Sequence, residues 1–154
     1  MAGVKLGAKV PKFSIPSTDG EFRMAASKDE NLVVYFYPRD NTPGCTTEGS
    51  DFRDLAPAFR RLRTRILGIS TDAIESHRRF RDKMKFPFEL GSDEDHSVAD
   101  LFGVWKQKNM YGRKMMGIER STFLIDAKGV LRQEWRKVRV AGHAAEVLAA
   151  SRDL

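Results

Sequence analysis

Two continuous apolar runs, separated by one helical pattern, constrain the fold of this chain more than any other feature. Residues 32–37 read Leu-Val-Val-Tyr-Phe-Tyr, and residues 65–70 read Arg-Ile-Leu-Gly-Ile-Ser. Runs of this kind, rich in β-branched and aromatic residues, are typical of strands buried on both faces of a sheet. Between them, apolar residues recur at spacings of three and four and predict a helix: Phe52, Leu55, Phe59 and Leu62.

The remaining elements extend this strand–helix–strand order. The sequence predicts a hairpin around Thr18-Asp19-Gly20, a helix over 72–85, a strand over 86–90, a short helix over 97–102, a hairpin joining 121–126 to 130–135, and a last helix after Gly142. Alternating strands and helices followed by a late hairpin predict an α/β fold. We expect a single domain over residues 1–154, a three-layer sandwich in which helices flank a central mixed sheet that begins with an N-terminal β-hairpin.

The composition excludes several classes of protein. Of the 154 residues, 41% are hydrophobic and 31% are charged, as in a soluble globular domain. No apolar run approaches the roughly 18 residues that a membrane span requires, so no membrane association is expected. The segment 1–13 shows neither an apolar stretch nor a small-residue cleavage site, and we therefore expect a cytoplasmic protein.

The charge pattern and the histidines give weaker signals. The net charge of +6 raises nucleic acid as a partner, but the basic residues are scattered among acids, which favours a solvated surface and no nucleic-acid partner. His77, His96 and His143 are far apart and lack metal-ligand spacing, which favours surface positions and no metal site. The glycines form no dinucleotide or phosphate-loop pattern, and no cofactor is expected.

Cys45 is the only cysteine, which excludes an internal disulfide and any multi-thiolate metal site. A free cysteine is ordinarily a small buried hydrophobe, but Cys45 lies in a turn punctuated by proline and glycine, between the first apolar run and the helix. Thr42 suits the N-cap of that helix, and Pro43 suits its first position. Gly44 and Cys45 then fall in the first turn, where unpaired amides and the helix dipole stabilise a thiolate.

Pro38, Thr42 and Cys45 form the Pro-x-x-x-Thr-x-x-Cys motif of the peroxiredoxins, and the chain resembles that family from about Lys9 to its C-terminus. Three further segments carry the resemblance: 119–126 looks like the strand that supplies the active-site arginine, and 101–105 and 109–112 resemble the bacterioferritin comigratory protein, or peroxiredoxin Q, branch. The resemblance implies a thioredoxin-like fold, in agreement with the predicted order of elements.

The resemblance also implies a thiol peroxidase that acts on hydrogen peroxide and small organic hydroperoxides. The Cys45 thiolate would attack one peroxide oxygen, become a sulfenic acid and release an alkoxide or hydroxide. The family pattern gives Arg120 the roles of activating the sulfur and polarising the peroxide, for which its fixed, permanently charged donors are suited. Thr42 would direct its hydroxyl at the peroxide, and the amides of Gly44 and Cys45 would complete the cradle.

Two further residues are candidates for supporting roles at this site. Pro38 would shield the sulfur from bulk water. Glu48 lies three residues beyond Cys45, on the same helical face, where a free carboxylate would oppose thiolate formation. Related enzymes use a glutamate here to orient the arginine, so we expect Glu48 to pair with Arg120 rather than with Cys45.

The chain departs from the family at the cysteine that resolves the sulfenic acid. Many peroxiredoxin Q proteins place it five residues after the first cysteine, where this chain has Ser50, and others place it near Arg81. Either the protein is a one-cysteine enzyme, or Ser50 stands in place of a cysteine. In both cases we expect reduction by an external thiol, namely thioredoxin, glutaredoxin or glutathione, and a monomer rather than a dimer.

Two alternatives from other functional classes remain open. A thiol transferase on a thioredoxin-like fold would explain the cysteine, but the chain has no Cys-x-x-Cys pair and carries Thr42 and Arg120. A basic nucleic-acid-binding module would explain the charge alone.

Overall fold

The computed structural model describes residues 3–26 and 29–154. The strands are β1 (Ser14–Ser17), β2 (Gly20–Arg23), β3 (Asn31–Phe36), β4 (Thr64–Ser70), β5 (Glu89–Ser92), β6 (Trp105–Met110), β7 (Arg113–Ile118), β8 (Ser121–Ile125) and β9 (Leu131–Arg136). The α-helices are α1 (Pro43–Arg61), α2 (Ile74–Met84), α3 (Ser97–Leu101) and α4 (His143–Ser151), and a 3-10 turn covers Met24–Ala26.

Seven of these strands form one mixed sheet in the order β2-β1-β5-β4-β3-β8-β9. The central strands β3, β4 and β5 are parallel, whereas β8 pairs antiparallel with β3 and β1 pairs antiparallel with β5. Helices α1 and α2 make the two crossovers between parallel strands, as parallel pairing requires. The two apolar runs of the sequence are thus confirmed as neighbouring buried strands.

Successive side chains of β3 enter two hydrophobic layers, because a strand presents alternate residues to opposite faces. Val33 and Tyr35 join the cluster that contains buried residues of α1 and α4, and that cluster also holds Cys45. Val34 and Phe36 join the other cluster, which contains buried residues of α3. Helices therefore cover both faces of a mixed sheet, and the predicted three-layer α/β fold is confirmed.

Apart from shifts of one or two residues at the ends of elements, the structure differs from the sequence prediction in three places. Strands β6 and β7 form a separate two-stranded sheet that was not predicted. Strand β5 begins at Glu89 rather than at residue 86, because residues 86–88 precede the pairing with β4. The prediction of surface histidines was wrong for His77 and His143, whose exposed fractions are 0% and 4%, because both hydrogen-bond inside the protein.

The sheet brings two distant segments to one edge. Helix α1 follows directly after the carboxyl end of β3. Ser121, the first residue of β8, pairs with Phe36, the last residue of β3, so Arg120 also lies at that end. Within the described ranges, no helix has the length and apolar character needed to cross a membrane.

Candidate active site

Helix α1 begins where the sequence predicted. Thr42 is the N-cap, with φ of −84° and ψ of 153°, and Pro43 occupies the first turn. The Thr42 hydroxyl does not cap the helix; instead it donates to the Arg39 carbonyl oxygen at 2.8 Å. A helix provides no partner for the amides of its first turn, so those of Gly44 and Cys45 are available to a ligand.

The Cys45 thiol is free and only 2% exposed, and it belongs to the core cluster beneath α1. Nη2 of Arg120 donates to the Cys45 sulfur at 3.3 Å. A guanidinium at this distance stabilises the anionic form of the sulfur, and so does the positive end of the helix dipole. The residues that the sequence singled out, 75 positions apart, are thus in direct contact.

Glu48 holds the other side of the same guanidinium. Its Oε1 accepts from Nη1 of Arg120 at 2.6 Å, and the residue is only 1% exposed. The pair expected from the sequence is therefore present. Glu48 Oε2 is buried without a hydrogen-bond partner in the described part of the chain. Burial raises the pKa of Glu48 to about 7, although Arg120 acts in the opposite direction. Near neutral pH this carboxyl therefore gains and loses a proton.

Gly44 leaves space for the Arg120 guanidinium, and Pro38 lies in the segment that precedes the helix. A Cβ added at Gly44 would lie 3.2 Å from Nη2 of Arg120, closer than an ordinary contact, so the absent side chain lets the guanidinium cross the helix start. Pro38 is half-buried in the segment between β3 and α1. The shielding role of Pro38 stays a prediction.

Lys108, which was not predicted from the sequence, also lies near this site. It is half-buried on β6. Its Cδ lies 3.5 Å from the position that a Cβ at Gly117 would occupy, which is an ordinary van der Waals distance. Burial lowers the pKa of Lys108, Arg120 lowers it further, and Cys45 acts in the opposite direction. The residue lies in an unpredicted hairpin, and no motif in the sequence marks it.

A second polar cluster lies behind the turn that precedes α1. Asp40 Oδ2 is 2.7 Å from Nδ1 of His77 and accepts from the Ser76 hydroxyl at 2.8 Å, and its Oδ1 accepts from the Tyr37 hydroxyl at 2.6 Å. The Asp40 amide donates to Asp72 Oδ2 at 2.8 Å.

Three side chains of this cluster are of types that bind metal ions: Asp40, Asp72 and His77. Their facing atoms are already engaged. Nε2 of His77 is 2.9 Å from the Gly91 carbonyl oxygen, and Asp72 Oδ2 also accepts from the Ser70 hydroxyl at 2.6 Å. We therefore interpret the cluster as a hydrogen-bonded network. The sequence signal that could have revealed it is Asp40 itself, a charged residue between the strand and the helix.

A thiol beside a guanidinium at a helix start can act as a nucleophile on an electrophile whose leaving group takes up negative charge. Arg120 and the first-turn amides are donors suited to that charge. Thr42 supplies a hydroxyl one turn away from the sulfur. The arrangement fits attack on an oxygen–oxygen bond.

Comparisons with known proteins agree with this chemistry. A model of the AhpC/TSA family matches residues 6–134. Peroxiredoxin Bcp of Bacillus subtilis is 45% identical over 152 residues, which cover 98% of this chain and 97% of the relative. Peroxiredoxin Bcp of Xanthomonas campestris is 56% identical over 119 residues, which cover 77% of this chain and 74% of the relative.

Solved structures give the same result. A structure of Xanthomonas campestris peroxiredoxin Q is 46% identical, has a TM-score of 0.89, and matches over 99% of this chain and 97% of its own. Peroxidoxin BcpB of Mycobacterium tuberculosis is 33% identical, with a TM-score of 0.86 and 98% of each chain covered. Since the likeness covers nearly the whole chain in both sequence and fold, this protein belongs to the AhpC/TSA family, as a thiol-dependent peroxidase of the Bcp and PrxQ peroxiredoxins.

Proposed function

We propose that Cys45 is the residue that attacks the peroxide and that Arg120 activates it. The observation that carries this proposal is the 3.3 Å contact between the Cys45 sulfur and Nη2 of Arg120 at the start of α1, where Cys45 is almost fully buried. A charged donor at this distance favours the thiolate, which is the nucleophilic form of cysteine. The same guanidinium is available to the peroxide oxygens when substrate enters.

The reaction is a displacement on oxygen. The Cys45 thiolate forms a bond to one peroxide oxygen, the oxygen–oxygen bond breaks, and the electron pair leaves on the distal oxygen as hydroxide or alkoxide, which takes up a proton. The sulfur is oxidised to a sulfenic acid and the peroxide is reduced to water or an alcohol. The Thr42 hydroxyl, which donates to the Arg39 carbonyl oxygen, accepts from the peroxide O–H and orients it. The amides of Gly44 and Cys45 donate to the oxygens and stabilise the developing charge.

Pro38 and Glu48 act on the site without taking part in bond changes. Glu48 holds Nη1 of Arg120 and thereby aims Nη2 at the sulfur, as the 2.6 Å ion pair supports. Pro38 restricts access of water from the side of β3. The low exposure of Cys45, 2%, supports a narrow entrance that admits small peroxides. A structure of the Xanthomonas campestris bacterioferritin comigratory protein concerns its alkyl peroxide reduction, so we include alkyl hydroperoxides among the substrates.

An external thiol completes the cycle, because the chain has one cysteine. One thiol displaces the sulfenic oxygen as water and leaves a mixed disulfide, and a second thiol releases Cys45 and departs as a disulfide. Thioredoxin, glutaredoxin and glutathione are the candidates, and the reducing cytoplasm is the compartment that supplies them. A monomer suffices, since Cys45, Glu48 and Arg120 all belong to one chain.

Stopped-flow tryptophan fluorescence with hydrogen peroxide tests the assignment of the site. We expect Cys45→Ser to abolish the fluorescence change, and Arg120→Lys to slow it about 100- to 1,000-fold, because lysine keeps the charge but lacks the two aligned donors. Arg132→Lys, at an exposed ion pair with Asp126, is the matched control and should react at the wild-type rate. A wild-type rate in Arg120→Lys would contradict the role given to Arg120.

Mass spectrometry tests the external reductant. After one equivalent of peroxide, the Cys45 sulfenic acid should form a mixed disulfide with added glutathione and return to the thiol with excess reductant. A thiol transferase would form the mixed disulfide only with a disulfide donor and would react with peroxide at the rate of free cysteine. A sulfenic acid inert to all three reductants would contradict turnover by this chain.

A further inference from the structure

We propose that His77 is a buried imidazolium paired with the Asp40 carboxylate, and that this pair is a positioning device for the turn that presents Thr42 and Cys45 to the peroxide. The first half of the proposal concerns a proton and is argued chiefly from the hydrogen bonds of His77 and Asp40. The second half rests on the proposed function of that turn. The two halves are tested by different measurements.

The acceptors around the His77 ring fix the number of its protons. Nε2 is 2.9 Å from the Gly91 carbonyl oxygen, which can only accept, so Nε2 carries a proton. The Tyr37 hydroxyl lies 3.4 Å from Nδ1, but it donates its one proton to Asp40 Oδ1 at 2.6 Å. A neutral ring would then leave Nδ1 with an unpaired lone pair, 2.7 Å from Asp40 Oδ2. Two lone pairs at this distance repel each other. A further proton must therefore lie between Nδ1 and Asp40 Oδ2.

Three features place that proton on the ring. The Asp40 carboxylate accepts from two hydroxyls, those of Tyr37 and Ser76, and accepting hydrogen bonds stabilises its ionised form. Burial and Asp40 raise the pKa of Tyr37 well above its usual value, so this hydroxyl keeps its proton and donates. Asp72 lies 2.8 Å from the Asp40 amide and adds a carboxyl that favours a cation nearby. An imidazole is also a stronger base than a carboxylate.

The pair fastens the peroxide-facing turn to two other elements, α2 and β5. Asp40 lies between Pro38 and Thr42 in the segment joining β3 to α1. Its side chain binds Ser76 and His77 of α2, and through Nε2 of His77 it reaches Gly91 of β5. Asp40 is 6% exposed and His77 is 0% exposed, so water cannot replace these contacts. The position of the Thr42 hydroxyl therefore depends on the ion pair between Asp40 and His77.

Nitrogen-15 NMR of the three histidine rings tests the proton. At pH 7 we expect both ring nitrogens of His77 to show shifts of the protonated type. His143 is the internal control: burial lowers its pKa to about 4, so it should show one protonated nitrogen. In Asp40→Asn, whose amide can donate to Nδ1, His77 should become neutral. A neutral His77 ring in the wild-type protein at pH 7 would overturn the first half of the proposal.

Peroxide kinetics test the positioning role. We expect Asp40→Asn to slow the reaction of Cys45 with hydrogen peroxide about 10- to 100-fold, the effect of a reacting group displaced by about 1 Å. Asp93→Asn is the matched control, since Asp93 is 2% exposed and binds the amides of Val98 and Ala99 on the other side of the sheet. It should lower stability and leave the peroxide rate unchanged.

A double-mutant cycle separates positioning from general damage. If Asp40 acts through the hydroxyl of Thr42, Asp40→Asn should cost much less in a Thr42→Ala background than in the wild type. Equal costs in both backgrounds would overturn the second half of the proposal. Tyr37→Phe and Ser76→Ala each remove one donor to Asp40. If Asp40→Asn does not fold, a partial loss of the peroxide rate in these two variants supports the positioning role, and a wild-type rate in both contradicts it. A slow wild-type protein would instead contradict the proposed function itself.

Discussion

The guanidinium of Arg120 contacts two acidic groups at once. Nη1 binds Glu48 and Nη2 binds the Cys45 sulfur. A single positive charge cannot fully compensate two buried anions, and the buried Glu48 Oε2 has no hydrogen-bond partner among the described residues to help. Protonation of Glu48, which its pKa of about 7 permits at neutral pH, leaves more of the guanidinium charge for the thiolate.

This sharing predicts a pH dependence of stability at the residue scale. Burial raises the pKa of Glu48 from 4.5 to about 7, so the folded protein binds more protons than the unfolded chain in that interval. Stability therefore falls as pH rises from about 5 to 8. Glu48→Gln has no carboxyl to titrate and does not lose this stability. The free energy of unfolding of Glu48→Gln minus that of the wild type should therefore increase by up to about 3 kcal/mol from pH 5 to pH 8.

Urea denaturation at pH 5 and pH 8 measures the difference, with the exposed Glu94→Gln as the matched control. Equal pH slopes in Glu48→Gln and wild type would contradict the raised pKa. The peroxide rate of Glu48→Gln should stay within about tenfold of wild type, because the amide oxygen can still accept from Arg120. A sharp increase would show that Glu48 opposes the thiolate rather than orients the arginine.

At the scale of elements, the start of α1 needs a glycine for space and not for its backbone angles. Gly44 → Ala adds a methyl group 3.2 Å from Nη2 of Arg120. Because alanine suits a helix better than glycine, stability should be unchanged or higher by up to about 1 kcal/mol. The displaced guanidinium should slow the peroxide reaction about tenfold or more.

The matched comparison is Gly49 → Ala in the same helix. There the new methyl group would overlap the Phe86 ring, so we expect a loss of about 1–3 kcal/mol from overpacking and a peroxide rate close to wild type. Thermal denaturation and stopped-flow kinetics on both variants distinguish the two effects. Loss of stability without loss of rate in Gly44→Ala would contradict the role of the close approach.

The position of Lys108 on the hairpin of β6 and β7 predicts that negatively charged thiols reduce the Cys45 sulfenic acid faster than neutral ones. Oxidation of Cys45 to sulfenic acid removes a negative charge near Arg120 and Lys108, so an anionic thiol should gain most from the remaining positive charge. We expect Lys108→Met to slow reduction by 3-mercaptopropionate about three- to tenfold and to leave 2-mercaptoethanol unaffected. Lys114→Met, an exposed residue on the opposite face of the hairpin, is the control.

The same elements show what the sequence could predict. Apolar runs and helix-capping residues located β3, β4 and the first residue of α1, because burial and capping leave clear patterns. Hairpin β6–β7 has no such pattern: its strands are mostly exposed and rich in lysine, arginine and methionine. Its turn places Tyr111 and Gly112 at φ of 53° and 78°, and a tyrosine is not the usual residue for that conformation.

The candidate site divides in the same way. Cys45, Thr42 and Gly44 were predicted from the motif and the helix start, and Arg120 and its pairing with Glu48 from the family resemblance. The structure brings the sulfur, the guanidinium and the carboxyl together. Burial of His77 could not be predicted, because its partners come from segments far apart in the chain.

At the scale of the whole molecule, Arg81 joins α2 to the N-terminal hairpin. Nη1 of Arg81 binds Thr18 and Asp19, and its Nε binds the Phe86 carbonyl oxygen. We expect Arg81→Met to lower stability by about 1–3 kcal/mol through these contacts. The peroxide rate should be unchanged.

Arg79→Met, an exposed change in the same helix, is the control for urea denaturation. Equal stability of the two variants would show that the link between α2 and the hairpin contributes nothing measurable. A lower peroxide rate in Arg81→Met but not in Arg79→Met would instead show that the contacts between α2 and the N-terminal hairpin affect the reactivity of Cys45.

Cys45 and Arg120 lie 75 positions apart and meet only when β8 docks against β3. A nascent chain released before β8 would carry the sulfur without its guanidinium and would remain a slow, ordinary thiol. Rapid reaction with peroxide therefore requires that β8 has paired with β3. The recovery of peroxide consumption after dilution from urea should follow the formation of this one strand pair.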